Sequence, residues 1–139
     1  MGERAALASV AGFLGESAYR QGRLDEADRH SLASAELGSS DDRSNEALWR
    51  SVRMKVLAAR GALERAEELA QAAIEIASRN DLLDLQAGIW LDLAEIRRTS
   101  GRAGMEAAAR QALVLYERKG HVVGAARAKA MLDTAASQP

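Results

Sequence analysis

The sequence predicts an all-α fold made of three helical hairpins followed by one more helix. Similar short segments begin 39 residues apart, at 34–38, 73–77 and 112–116, and a glycine turn precedes each of them. Repeats of about this length are typical of stacked helical hairpins. Apolar residues make up 47% of the chain but aromatic residues only 4%, which favours a core of small aliphatic side chains packed between helices. We expect residues 1–139 to form a single domain of this kind.

The first predicted unit covers about residues 3–38. It consists of a helix over about 3–21 and a second helix over about 25–37, with Gly22 in the turn between them. A polar loop follows the second helix. Ser44, at the end of this loop, is expected to cap the next helix because serine side chains accept hydrogen bonds from free backbone N–H groups.

The second predicted unit covers about residues 44–79, with helices over 45–60 and 63–79 and a turn at Gly61. Its second helix has the most regular pattern in the chain, because apolar residues recur there at steps of three and four. These residues are Leu63, Ala66, Leu69, Ala70, Ala73, Ile74 and Ala77. The pattern predicts an amphipathic helix with one buried face.

The third predicted unit covers about residues 82–119, with helices over 82–100 and 103–119 and a turn at Gly101. A last helix over about 122–134 follows. It is expected to cover the end of the array, since a stack of repeats needs a terminal helix that is apolar inside and polar outside. Its apolar side is predicted to contain Val123, Ala126, Ala130 and Met131.

The first helix carries apolar side chains that the predicted hairpins do not cover. These are Leu7, Val10, Phe13 and Leu14. An earlier repeat would be expected against such a face. The chain is therefore expected either to be a piece of a longer protein or to form a homodimer through this helix.

The third unit resembles the tetratricopeptide repeat family. Trp90, Leu93 and Ala94 stand where that family has a bulky residue, a leucine and a small residue on its first helix, Gly101 stands at the turn, and Ala112 matches the second alanine position of the second helix. The resemblance implies a right-handed superhelix of three such hairpins with a C-terminal capping helix. The units are longer than is usual in the family and lack its customary proline between units.

The second unit fits the same pattern with Trp49, Gly61 and Ala66. Its small position is either Arg53 or Met54. Arg53 is indicated if Trp49 sets the register, and Met54 if the count runs back from Gly61.

The segment 115–132 is similar to the C-terminal part of repeat regions in large actinobacterial regulators, including ATPase-containing transcriptional activators and cyclase-like signalling proteins. This resemblance implies a scaffold that binds a protein or peptide, as the sensing or docking segment of a larger bacterial regulator. The absence of cysteine and of a signal-peptide pattern predicts a cytoplasmic location. One alternative is a free-standing homodimeric adaptor. The other is an all-α enzyme or small-ligand binder, which would need a closed pocket with converging polar groups.

Charge and motifs favour neither catalysis nor a bound cofactor. The net charge of −1 and the absence of long basic runs do not favour direct nucleic-acid binding, and no apolar run is long enough to predict a membrane span. The chain has no cysteine and no phosphate-binding loop, and His30 and His121 lie far apart. We therefore expect no metal, no cofactor and no enzymatic activity.

The resemblance places the first helix of each hairpin along a concave groove, where charged side chains select the partner. Seven residues are predicted to lie on this face: Glu16, Tyr19, Arg20, Arg50, Arg53, Asp92 and Glu95. The two arginines of the second unit could bind a carboxylate of the partner, or the opposite charges of neighbouring helices could pair with each other. Trp49 and Trp90 are expected to pack between helices.

Overall fold

The computed structural model describes residues 2–136, and this part of the chain forms seven α-helices and no β-strand. The helices are α1 (Gly2–Arg20), α2 (Leu24–Leu37), α3 (Arg43–Ala59), α4 (Leu63–Arg79), α5 (Leu83–Ser100), α6 (Met105–Lys119) and α7 (Val122–Ala136). The all-α prediction is confirmed. The helices form two compact units, the first with α1 to α4 and ending at Asn80, the second beginning at Asp81 with α5 to α7.

Four helices end in the same way. A glycine with positive φ follows each helix, at Gly22, Gly61, Gly101 and Gly120. In each case the N–H of the next residue donates a 2.9 Å hydrogen bond to the carbonyl five residues earlier, as from Arg23 to the oxygen of Ala18. This is the Schellman arrangement, which favours glycine because other residues are strained at positive φ. The turn glycines read from the sequence therefore define the hairpins.

Two predicted helix starts are corrected. Asp42, not Ser44, caps α3, because its side chain accepts a 3.2 Å hydrogen bond from the N–H of Asn45 while Ser44 lies inside the helix. The helix α6 begins at Met105 and not at residue 103, because Gly104 adopts a left-handed conformation that is incompatible with the helix.

In the first unit, α1 packs closely against α2 and α3 through a face of small residues. This buried face consists of Ala8, Ala11, Gly12, Gly15 and Ala18. A Cβ atom on Gly12 would lie 2.7 Å from Cδ2 of Leu48 on α3, and one on Gly15 would lie 3.2 Å from Cγ1 of Val52. The absence of side chains at these glycines therefore allows α1 and α3 to approach each other closely.

The two candidates for the small position of α3 differ in burial. Met54, which the count from Gly61 puts there, is completely buried, together with Val52 and Val56. Arg53 is only half-buried and contacts α2 through Asp28. Of the two residues, only Met54 thus belongs to the core of the first unit.

In the second unit, α6 packs between α5 and α7. Its Tyr116 ring belongs to a core cluster with Leu91 of α5 and Ala128 of α7, and half-buried Trp90 packs against this cluster. The buried side of α7 differs from the prediction, because Gly124 and Ala128 face α6 whereas Val123 is exposed.

Ala126 and Ala130 are also exposed, whereas Met131 packs against the core as predicted. The physical reason for the different face is Gly124, which has no side chain and so lets the flat Tyr116 ring lie against the backbone of α7. Among the described residues, no helix is both long enough and apolar enough to cross a membrane.

Candidate functional site

A cleft with a volume of about 370 Å³ lies between α3 and α4 of the first unit. Antiparallel helices of a hairpin bring the beginning of one helix beside the end of the other, so the first half of α3 lies beside the last turns of α4. The cleft is lined by Arg43 and Arg50 of α3, by Ala72, Glu75, Ile76 and Arg79 of α4, and by Asn80. Three arginines therefore surround a cleft that has a single carboxylate in its lining.

The three arginines differ in how firmly they are held. Arg50 pairs with Glu46 one turn earlier, and its guanidinium lies 4.2 Å from the centre of the Trp49 ring. The indole N–H of Trp49 donates a 3.1 Å hydrogen bond to the same Glu46 carboxylate. Arg50 is thus fixed in place by an ion pair and a cation–π contact.

Arg79 and Arg43 are more available to a ligand. Arg79 forms an ion pair with Glu75 at 2.7 Å, but both side chains are largely exposed, and such surface pairs contribute little. Arg43 is exposed, and within residues 2–136 no ion pair involves it. Little free energy would therefore be lost in freeing these two guanidinium groups to bind a new anion.

The cleft also has an apolar floor. Ala72 and Ile76 are half-buried between the charged side chains. Asn80, beside them, donates a 2.7 Å hydrogen bond from its amide nitrogen to the carbonyl oxygen of Ile76. Guanidinium groups bind carboxylates through paired hydrogen bonds, so the cleft suits an extended segment that carries both acidic and apolar side chains.

The structure separates the two arginines that were predicted to act together. Arg50 lies in the cleft, whereas Arg53 pairs with Asp28 of α2. Arg60 also pairs with Asp28, at 3.3 Å, and with Asp25, at 2.6 Å. Arg53 thus takes part in a network that holds α2 to α3, and its predicted role in partner binding stays a prediction.

Three other predicted residues, Glu16, Tyr19 and Arg20, lie at the contact between α1 and α3, around Lys55 of α3. Lys55 is only 4% exposed, and it pairs with the carboxylate of Glu16. Arg20 also contacts Glu16, at 3.2 Å, and the ammonium of Lys55 lies 5.1 Å from the centre of the Tyr19 ring. Glu16 and Tyr19 therefore surround a buried cation, which the sequence did not indicate.

Asp92 and Glu95 lie in the second unit. Glu95 accepts hydrogen bonds of 2.5 and 3.0 Å from Arg98, and this contact raises the pKa of the Arg98 guanidinium above its ordinary value. Burial raises the pKa of the Tyr116 hydroxyl, and the negative charge of Asp92 raises it further. The two predicted acids thus have different local partners.

A second cavity, of about 390 Å³, lies between α6 and α7. Its mostly apolar lining includes Tyr116, His121 and Lys129. His121 accepts a 2.9 Å hydrogen bond at Nδ1 from the N–H of Gly124, so its side chain caps the start of α7. Nowhere in residues 2–136 do three potential metal ligands of the His, Asp, Glu or Cys type come together.

No family model, no curated protein and no solved structure matches this chain. Sequence reasoning identified Arg50 but missed Arg43, Arg79 and Asn80. A signal for them was present, because Arg43 and Arg50 are seven residues apart on one helix face, and the end of α4 must return beside the start of α3.

Proposed function

We propose that this chain is a helical-repeat scaffold of the tetratricopeptide type that binds an acidic protein segment in the cleft between α3 and α4. The single observation that carries the proposal is the lining of this cleft, where two half-buried apolar residues lie among three arginines, of which only Arg50 is held by a partly buried ion pair, with Glu46. Binding occurs by surface complementarity and involves no chemical reaction.

The repeat architecture in this proposal rests on the hairpins themselves. Three pairs of helices, α1 with α2, α3 with α4 and α5 with α6, each close through a glycine with the same hydrogen-bonded turn. In the proposed arrangement the three hairpins stack into a right-handed superhelix, with α7 as the helix that covers its end. Such stacks present long surfaces on which extended segments bind.

The chemistry of the cleft defines the ligand. A carboxylate of the partner would replace Glu75 as the ion-pair partner of Arg79 and would also pair with Arg43, which is exposed. An apolar side chain next to that carboxylate would contact Ala72 and Ile76. Because the main attraction is between exposed charges, the affinity should fall as the salt concentration rises.

A fluorescence polarisation titration tests this function. The probe is a fluorescein-labelled peptide of alternating glutamate and leucine, and the matched neutral probe has glutamine in place of each glutamate. Arg79→Ala and Arg43→Ala should each weaken binding of the acidic probe by about fivefold or more, the usual range for a lost charge-assisted hydrogen bond.

Arg110→Ala is the matched control. Arg110 lies on α6, is largely exposed, and pairs with a glutamate four residues earlier, just as Arg79 does. The control variant should bind the acidic probe like the unmodified chain. Equal binding of the acidic and neutral probes, or equal losses in Arg79→Ala and Arg110→Ala, would refute the cleft as the binding site.

We further propose that the scaffold is the docking segment of a larger bacterial signalling or transcriptional regulator. This part rests on the resemblance of residues 115–132 to the ends of such repeat regions. An antibody against the chain should detect a native product much larger than 14.9 kDa in the source cells. A band near 14.9 kDa would instead favour a free-standing adaptor.

A further inference from the structure

We infer that α1 is a homodimerisation helix, which binds the α1 of a second copy of this chain in antiparallel orientation. The contact surface is the row of apolar side chains Leu7, Val10, Phe13 and Leu14, called the α1 stripe below. This inference is independent of the proposed peptide-binding cleft, which lies between α3 and α4. It also holds for a larger regulator, which would then dimerise through α1 instead of covering this helix with an earlier repeat.

The α1 stripe lies on the side of the helix that the first unit leaves open. The small-residue face, which is buried against α2 and α3, lies roughly a third of a turn around the helix from the stripe. The four side chains of the stripe are exposed by 49%, 53%, 66% and 47%, in chain order. A helix that is apolar on both sides normally has neighbours on both sides.

The spacing of the stripe suits contact with another helix. Leu7, Val10 and Leu14 follow one another at steps of three and four, which places them in one row, with Phe13 beside it. The same spacing forms the contact row in pairs of packed helices. A second copy of α1 has an identical row, so a two-fold axis would bring the two rows together.

The size of the stripe is sufficient for a dimer. About half of each of the four side chains is exposed, which corresponds to roughly 400 Å² of apolar surface. Apolar atoms make up roughly 57% of a typical interface, so this stripe would be the centre of a contact of about 700 Å² on each copy. Stable complexes usually bury about 800 Å² on each partner.

The charges at the ends of α1 select the antiparallel orientation. Glu3 lies in the first turn and Arg20 in the last turn. If the two-fold axis passes midway between Val10 and Leu14, these two residues lie opposite each other, and Glu3 of each copy lies near Arg20 of the other, whose guanidinium also contacts Glu16 of its own helix. A parallel pair would instead bring like charges together at both ends and would align the two helix dipoles unfavourably.

The charges near the stripe also favour a second copy over a lipid surface. Helices that lie on membranes have a polar face rich in lysine and arginine. Along α1, acidic and basic residues are equal in number: Arg4 and Glu16 contact α2 and α3, and Glu3 and Arg20 lie at the two ends of the helix. Such a surface has no net attraction for anionic lipids.

Sedimentation velocity of the whole chain tests the dimer. With rising concentration through the micromolar range, the mass should increase from 14.9 kDa to twice that value. Val10→Glu should weaken association about tenfold or more, because it would bury an unpaired charge. Val114→Glu is the matched control, since Val10 and Val114 are helical valines with exposures of 53% and 52%, and it should leave association unchanged.

Charge exchange tests the orientation. Glu3→Arg and Arg20→Glu should each weaken the dimer about threefold or more, and the double variant should recover the affinity because both ion pairs are restored with reversed sign. Failure of the double variant to recover would refute the antiparallel pairing. A monomer at all concentrations, whether or not it binds vesicles of phosphatidylserine and phosphatidylcholine, would refute the dimer, and so would equal effects of Val10→Glu and Val114→Glu.

Discussion

Replacing Gly124 with alanine should destabilise the contact between α6 and α7, because the new methyl group would occupy space that the Tyr116 ring fills. A Cβ atom at this position would lie 2.4 Å from both Cδ1 and Cε1 of the ring. Atoms cannot approach so closely, so the ring or α7 must move. The ring is almost completely buried in the core of the second unit, which makes any such movement costly.

The size of the effect follows from two opposing contributions. Overpacking a core position costs about 1–3 kcal/mol. Alanine in place of glycine within a helix gains up to about 1 kcal/mol, because the unfolded chain loses less freedom on folding. The net loss for Gly124→Ala should therefore be about 1–2 kcal/mol in the free energy of unfolding of the second unit.

Gly88→Ala provides the matched control at the hydroxyl end of the same ring. A Cβ atom at Gly88 would lie 3.7 Å from the hydroxyl oxygen of Tyr116, which is an ordinary contact distance. Gly88 lies in the middle of α5, so this variant should gain about 0.5–1 kcal/mol from helix propensity. The two substitutions are chemically identical but should change stability in opposite directions.

Urea denaturation followed by tryptophan fluorescence measures both variants. Trp90 packs against the Tyr116 cluster, so a Trp49→Phe background restricts the signal to the second unit. The double variant Gly124→Ala, Tyr116→Ala should lose less free energy of unfolding than the two single variants together, because the new methyl group no longer overlaps a tyrosine ring. Equal stability of Gly124→Ala and Gly88→Ala would refute the packing of the ring against α7.

Three further predictions concern other contacts. Glu16→Gln should destabilise the first unit by about 3 kcal/mol in urea denaturation, the low end for a broken buried ion pair because Glu16 is partly exposed, and adding Lys55→Met should recover most of this loss. The pKa of the Tyr116 hydroxyl is raised above its ordinary value of 10.0, so the folded state favours the neutral hydroxyl. The stability that the neutral hydroxyl contributes should be fully present below pH 10.0 and should be lost as the pH rises through the pKa of the folded state. Absorbance at alkaline pH, compared with Tyr116→Phe, measures this titration. Asp42→Ala should lower the free energy of unfolding, measured by thermal denaturation, by about 1 kcal/mol, whereas Ser44→Ala should have almost no effect.

The helices could be predicted because their signals are local. The glycines at 22, 61 and 101 end helices by a backbone preference that does not depend on the rest of the fold. The cap of α3 was predicted wrongly as Ser44, since both Ser44 and Asp42 have side chains that can accept the same kind of hydrogen bond. It depends on where the chain turns into α3, which the loop and the packing of Asn45 together determine.

The partners of charged residues could not be predicted in the same way. Arg50 and Arg53 are three residues apart, yet one faces α4 and the other faces α2. Lys55 reads in the sequence as a surface residue, yet it is buried beside Glu16 and Tyr19 of α1. Such pairings depend on the packing of different helices, and the spacing of residues along one helix does not contain that information.

The glycine-closed turns have a consequence for how the chain folds during synthesis. Within each unit the closest packing joins helices that are neighbours in the sequence, such as α1 with α2 and α6 with α7. Folds dominated by local packing of this kind form rapidly, because little chain entropy is lost before each contact forms. The helices of the first unit are thus expected to assemble as they leave the ribosome, while the second unit is still being translated.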